Sequence, residues 1–131
     1  MISTKKLRKA MHEITAKKGE FTLFALIKRG DSSGGEWDLV VSAPWLETGK
    51  LKALGEFVEL LGKSLGESNL RDFSRVQTVG GDDPTLNAIV SEFPVEDGER
   101  PMSRPGLFGL EIEDAIILRA KRPKRASAGA A

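Results

Sequence analysis

Apolar residues along the chain follow two different periods, and each period predicts regular structure. Residues 21–27 are apolar at nearly every position, which is typical of a strand covered on both faces. In residues 37–43 every second position is apolar, which predicts a strand with one buried face. Because the glycines and serines of residues 30–35 separate these segments, the pattern predicts a β-hairpin whose second strand ends at Pro44.

Two segments that flank the hairpin repeat their apolar residues every three or four positions, which predicts amphipathic helices. The first covers about residues 4–18 and ends in two lysines and a glycine, a favourable helix C-terminus. The second follows Thr48, a predicted N-cap. Its apolar positions are Leu51, Leu54, Val58, Leu61 and Leu65. We expect Leu54, Val58 and Leu61 to be buried against the sheet.

The second half of the chain is predicted to add one helix and two or three strands. Asp83 followed by proline indicates a helix start, and helical spacing of apolar residues follows it. Strands are predicted at 71–79 and 115–118, and the second is apolar throughout, so we expect it inside the sheet. Residues 95–106 are predicted to form a mobile loop, and 107–112 a further strand.

The order of these elements predicts one α/β (α+β) domain whose helices pack on a mixed, largely antiparallel sheet. The order is α-β-β-α-β-α-β, with one further strand near the end as an option. A chain of 131 residues suits a single domain, which we place at residues 1–122. Residues 123–131 are basic and alanine-rich, and we expect them to be a disordered tail.

Composition excludes several classes of protein. The chain has no cysteine, so disulfides, thiolate zinc sites and a cysteine nucleophile are impossible. No apolar segment approaches the roughly 18 residues of a membrane span. The N-terminus has lysines without the apolar segment of a signal peptide behind them, so we predict a cytoplasmic protein with no membrane partner.

Charge is distributed unevenly, although the net charge is only +1. Residues 1–19 and 119–125 each carry a net charge of +5, whereas residues 20–118 carry −9. Basic ends on an acidic body indicate contact with nucleic acid, or ends that lie on the body itself or on a second copy of the chain. The predicted partner-binding residues are Lys5, Lys6, Arg8, Lys9, Arg122, Lys124 and Arg125, together with the aromatic Trp45. Solubilising termini are the simpler alternative.

Two sequence motifs match catalytic patterns only in part. The segment 30–34 matches the G-x-S-x-G pattern of a nucleophile elbow, but a strand follows the serine instead of a helix. His12 begins a zincin-like pattern in which Ala16 occupies the position of the second histidine. We therefore interpret the first segment as a hairpin turn and His12 as a partly exposed helical residue.

Glu36 and Asp38 lead the second strand of the hairpin two residues apart. Alternate strand residues point the same way, so both carboxylates are placed to bind one hard cation such as Mg²⁺. The segment resembles the acidic strand of the nucleotidyltransferase superfamily, where such a pair holds catalytic metals. That family places a Gly-Ser pair and a helix before the strand, whereas only a short turn precedes Glu36 here. The alternative, which we favour, is that both residues are solvent-facing.

These observations favour a small cytoplasmic, non-catalytic binding or regulatory protein that acts through a macromolecular partner. No cofactor is predicted for this function. Two alternatives remain open. One is a metal-dependent nucleotidyltransferase-like enzyme that uses Glu36, Asp38 and Mg²⁺, and the other is an accessory protein that contacts nucleic acid through the basic ends.

Overall fold

The structure is a computed structural model that describes residues 3–29, 37–47, 50–66, 73–102 and 112–123. In chain order its helices are α1 (Thr4–Lys18), α2 (Pro44–Glu47), α3 (Lys50–Leu65) and α4 (Pro84–Glu92). Its strands are β1 (Leu23–Arg29), β2 (Trp37–Ser42), β3 (Phe73–Thr78), β4 (Arg100–Pro101) and β5 (Ile112–Ala120).

The five strands form one mixed sheet in the order β3-β2-β1-β5-β4. Strand β1 lies in the middle and pairs antiparallel with both β2 and β5. Strand β3 runs parallel to β2, because α2 and α3 carry the chain from the end of β2 back to the start of β3. The α+β class, the order of elements and the mostly antiparallel sheet are as the sequence predicts.

One face of the sheet is covered by α1 and α3. The buried side of α1 consists of Leu7, Ala10, Met11 and Ile14. These side chains share a core with Phe57 and Leu61 of α3 and with Phe21 and Phe24 at the start of the sheet. The three phenylalanines meet edge to face, which suits their ring quadrupoles.

The opposite face is covered by α4 and by the segment that follows it. Leu86 and Ile89 of α4 are fully buried, and they pack with Val40 of β2 and Ile117 of β5. Because both faces are covered, every residue of β2 is buried, including the polar ones. Asp38 alternates with Leu39 and lies on the same face of β2 as Val40, which packs in this second layer.

Local sequence signals fix the helix ends. Ser3 caps α1 by accepting a hydrogen bond from the backbone of Lys6, and α1 ends at Gly19, whose φ of 125° favours glycine. Asp83 caps α4 as predicted, since its carboxylate accepts hydrogen bonds from the backbone N–H groups of Thr85 and Leu86.

Two expectations about buried residues of α3, those for Leu54 and Val58, are wrong. Leu51 is 87% exposed, so the apolar side of α3 is wider than its buried side. Of the three leucine and valine positions expected to face the sheet, Leu61 is fully buried, whereas Leu54 and Val58 are half-buried. Pro44 begins a short helix as well as ending β2.

The segment after α4 is more regular than the predicted loop. Val95 pairs with Ala120, residues Arg100–Pro101 form β4 against β5, and Met102 is buried. The predicted hairpin turn at 30–35, the N-cap Thr48 and most of the strand at 107–112 lie outside the described residues.

Candidate macromolecular interface

The outward side of α1 carries most of the exposed positive charge predicted for partner binding. Lys5, Lys6 and Lys9 lie on this side, Lys17 lies at its border with α3, and all four are exposed. We call these four residues the lysine face. Within the described part of the chain, none of them forms an ion pair. Because the opposite side of α1 is buried in the core, the lysine face is the side of the helix that a partner can contact.

Contacts on its two flanks hold α1 in one orientation. On one flank, Lys18 Nζ lies 3.0 Å from Glu56 Oε1 of α3, and the hydrogen bond lowers the pKa of Glu56. On the same flank, the Ser64 hydroxyl of α3 donates to the Glu13 carboxylate. Glu13, the acidic residue nearest the lysine face, is therefore held towards α3.

Asp97 holds the other flank of α1. Its carboxylate lies 3.2 Å from Arg8 Nε and 3.0 Å from His12 Nε2. Burial raises the pKa of Asp97, but the hydrogen bonds from Arg8 and His12 outweigh it, so the pKa lies below its ordinary value. Arg8 is therefore engaged within the molecule. His12 is 56% exposed, as expected for a helical surface residue, and its Nε2 forms a hydrogen bond with the Asp97 carboxylate.

The described basic residues at the end of β5 are also engaged within the chain. Arg119 donates to the carbonyl oxygens of Phe21 and Glu96 and to the Glu20 carboxylate. Arg122 donates to the carbonyl oxygen of Gly81, at 2.8 Å, and to the side-chain oxygen of Asn87. Of the two predicted basic ends, the N-terminal one therefore keeps most of its charge free, whereas Arg122 ties the C-terminal one to the start of α4. Lys124 and Arg125 lie outside the described residues.

Trp45 is an anchor between the first helix and the core. Its side chain is half-buried, and the indole N–H donates to the carbonyl oxygen of Gly19 at 3.2 Å. The ring packs edge to face on Phe21 and lies tilted against Phe57. A shallow groove of about 370 Å³ runs beside it, lined by Thr15, Glu20, Pro44 and Pro123 among others. Packing against Phe21 and Phe57 explains why part of the Trp45 side chain is buried. The role of Trp45 in partner binding stays a prediction.

Asp38 lies in an environment opposite to the solvent-facing one that we favoured. The residue is buried, and its Oδ2 accepts a hydrogen bond from Arg75 Nε of β3 at 3.0 Å. The expectation fails because the side of β2 that carries Asp38 is also covered. Glu36 lies outside the described residues, so the Mg²⁺ chelate stays untested.

The described residues contain neither a metal-binding group of side chains nor a membrane-spanning helix. Among the described residues, no three His, Asp or Glu side chains are grouped so that they could hold a metal ion. In the same part of the chain, no helix has the length and apolar character needed to cross a bilayer.

Comparisons with known proteins add no functional information. No protein-family model matches the chain, and neither a curated protein nor a solved structure matches it. The lysine face therefore has to be interpreted from its own geometry. Lys17 was missed by sequence reasoning, although its spacing of eight residues from Lys9 places the two about 80° apart around a helix.

Proposed function

We propose that this protein is a small, non-catalytic, cytoplasmic binding protein that attaches through its lysine face to an acidic surface of a partner protein. The observation that carries the proposal is the selective availability of charge on α1. Arg8 and Lys18 are ion-paired within the chain, whereas the four lysines of the lysine face are exposed without ion pairs among the described residues.

The lysine face concentrates four positive charges along a single helix. It extends over three turns of one helix, and the nearby carboxylate of Glu13 accepts a hydrogen bond from Ser64 instead of pairing with a lysine. Positive charge fixed on one rigid surface attracts a complementary acidic surface and orients it during encounter. This arrangement supports recognition of a macromolecule more directly than it supports chemistry.

A protein partner fits the lysine face better than nucleic acid does. Described basic residues elsewhere that would add phosphate contacts, Arg119 and Arg122, are engaged within the chain. The exposed side of α1 has no Phe, Tyr or Trp ring on which a base could stack. The body of the chain, residues 20–118, has a net charge of −9 and would repel a phosphate backbone.

Purification of partners from the native host with two matched double variants tests the proposal. Lys5→Gln/Lys9→Gln removes two charges from the lysine face, and Lys52→Gln/Lys63→Gln removes two charges from exposed positions of α3. We expect a partner that is retained by the control variant and depleted with the α1 variant. Once that partner is purified, its affinity should fall by about 2- to 30-fold, because an exposed ion pair contributes about 0.2–1 kcal/mol.

The same variants separate the protein partner from nucleic acid. Fluorescence anisotropy with duplex DNA and single-stranded RNA should show only weak binding. Tight binding to either nucleic acid, with a steep salt dependence that the α1 variant reduces, would replace the proposed partner class. Equal recovery of every partner by both variants would contradict the role of the lysine face.

A further inference from the structure

The two edges of the sheet differ in a way that bears on self-association. At one edge, β4 has only two residues, and one of them is Pro101, which has no backbone N–H to donate. At the other edge, β3 has six residues. Among the described residues, no strand pairs with the outer side of β3. An open edge of this length is a template for a further strand.

The outer edge of β3 can be assigned to particular backbone groups. The N–H of Val79 donates to the carbonyl oxygen of Val41 at 3.0 Å, so Val79 and Gln77 direct their backbone groups towards β2. Because the direction alternates along a strand, the N–H and C=O groups of Val76 and Thr78 point away from the sheet. These are the groups that an additional strand would bind.

Helix α3 presents an apolar side next to the same edge. Glu56 and Leu60 of α3 lie against α1, as the Lys18–Glu56 ion pair and the cleft between the two helices show. Leu51 and Val58 lie on the opposite side of the helix, because successive residues are 100° apart. Since α3 connects β2 to β3 and packs over them, its side remote from α1 is the side nearest the open edge.

This side of α3 is apolar and only partly covered. Leu51 is 87% exposed, Leu54 and Val58 are half-buried, and Gly55 between them is exposed. None of these four residues is charged. An exposed apolar side next to an open strand edge combines the two features that strand-mediated interfaces use: backbone hydrogen bonds and buried apolar area.

We infer that β3 and the apolar side of α3 form a two-fold interface with a second copy of this chain. A two-fold axis beside β3 places two β3 strands antiparallel, so that the outward groups of Val76 and Thr78 meet the same groups of the partner. The sheet then continues through both protomers, and Leu51 of one protomer lies near the partner's α3.

The low charge of this surface favours a second copy of the chain over a charged partner. Arg75 is the only charged residue of β3, and it is paired with Asp38 of its own chain. The apolar side of α3 adds no charge, so identical surfaces meet without like-charge repulsion. Because the opposite edge is short and contains proline, the association closes at two copies instead of extending into a fibre.

Analytical ultracentrifugation over a wide concentration range tests the interface. The wild-type chain should reach twice its mass of 14.2 kDa. Leu51→Asp should stay monomeric, because the two-fold axis would bring together two buried carboxylates. Lys52→Asp is the control, since it changes the net charge more but lies about 100° around the helix from Leu51, and it should dimerise like the wild type.

Thr78→Pro tests the strand edge independently of the helix. Proline removes an N–H that points away from β2, so the variant should keep the wild-type circular dichroism spectrum and lose the dimer. A purely monomeric wild type, or a dimer that survives both Leu51→Asp and Thr78→Pro, would overturn the inference.

Single cysteines add a positional test, because the chain has none of its own. Thr78→Cys should form a disulfide-linked dimer on mild oxidation, whereas Ser91→Cys, which is exposed on α4, should not. Efficient linking through position 91 with none through position 78 would place the interface elsewhere and contradict the inference. The result is independent of the lysine face, which lies on α1.

Discussion

Replacing Leu61 by alanine should destabilise the protein far more than the same change at Leu51. Both leucines lie on α3, and both changes have the same small effect on helix propensity. Leu61 is fully buried, whereas Leu51 is 87% exposed. The buried change loses transfer free energy and leaves a cavity, which together cost about 2–5 kcal/mol. The exposed change should stay within about 0.5 kcal/mol.

Urea denaturation followed by circular dichroism and tryptophan fluorescence measures this difference. At a denaturant dependence of about 2 kcal/mol per M, Leu61→Ala should lower the midpoint by about 1–2.5 M. Repeating both changes in the Thr78→Pro background separates monomer stability from any contribution of the proposed dimer. Equal midpoints for the two variants in that background would refute the orientation of α3 on the sheet.

Four further substitutions test other parts of the structure. Arg75→Met should cost about 1–3 kcal/mol in a denaturation experiment, because it removes a hydrogen-bond donor from the buried carboxylate of Asp38; an unchanged midpoint would contradict the pair. Gly19→Ala should lower stability, since φ is 125° and the added Cβ would lie 3.3 Å from the Trp45 ring, whereas Gly55→Ala should raise it by up to about 1 kcal/mol. Asp97 has a lowered pKa, so its contribution is present above the pKa of the unfolded chain and is lost as the pH falls through the folded value. Because Asp97 is 38% exposed, Asp97→Asn should lower the free energy of unfolding by less than about 1 kcal/mol at neutral pH. It should also make stability depend less on pH in the acid range, and an unchanged pH dependence would show that Asp97 makes no such contribution.

The features that sequence predicted well are those set by neighbouring residues. The buried side of α1 follows from helical spacing, and the Asp83 cap follows from a carboxylate placed just before a proline. Strand β1 is apolar on both sides and lies in the middle of the sheet, as a strand covered on both faces should. In each case the signal and its consequence lie within about one turn or one strand of each other.

The features that sequence missed depend on distant parts of the chain. Asp38 alternates with apolar residues and therefore looks solvent-facing, but α4, almost fifty residues later, covers that side of the sheet. The apolar residues of α3 exceed those that the sheet covers, so periodicity alone could not show that Leu51 is exposed. Partial coverage of this kind is informative, because it marks the surface that we assign to the second copy.

Charge layout was predictable in outline but not in detail. The sequence shows two basic ends of equal net charge, yet Arg8 and Arg122 form polar side-chain contacts within the chain, whereas Lys5 and Lys9 form none with the described residues. The partners of Arg8 and Arg122 lie 89 and 41 or 35 residues away, so no local pattern indicates them. The lysine face becomes apparent only after the basic residues that pair within the chain are distinguished from those that do not.

Site-specific photo-crosslinking in the native host tests the central claim most directly. A photoreactive amino acid at position 9 lies on the lysine face, and the same amino acid at position 52 lies on the exposed part of α3. We predict a discrete adduct with an acidic protein from position 9, absent from position 52 and weakened at high salt. An identical set of adducts from both positions, or adducts from position 9 with nucleic acid alone, would contradict the proposed function.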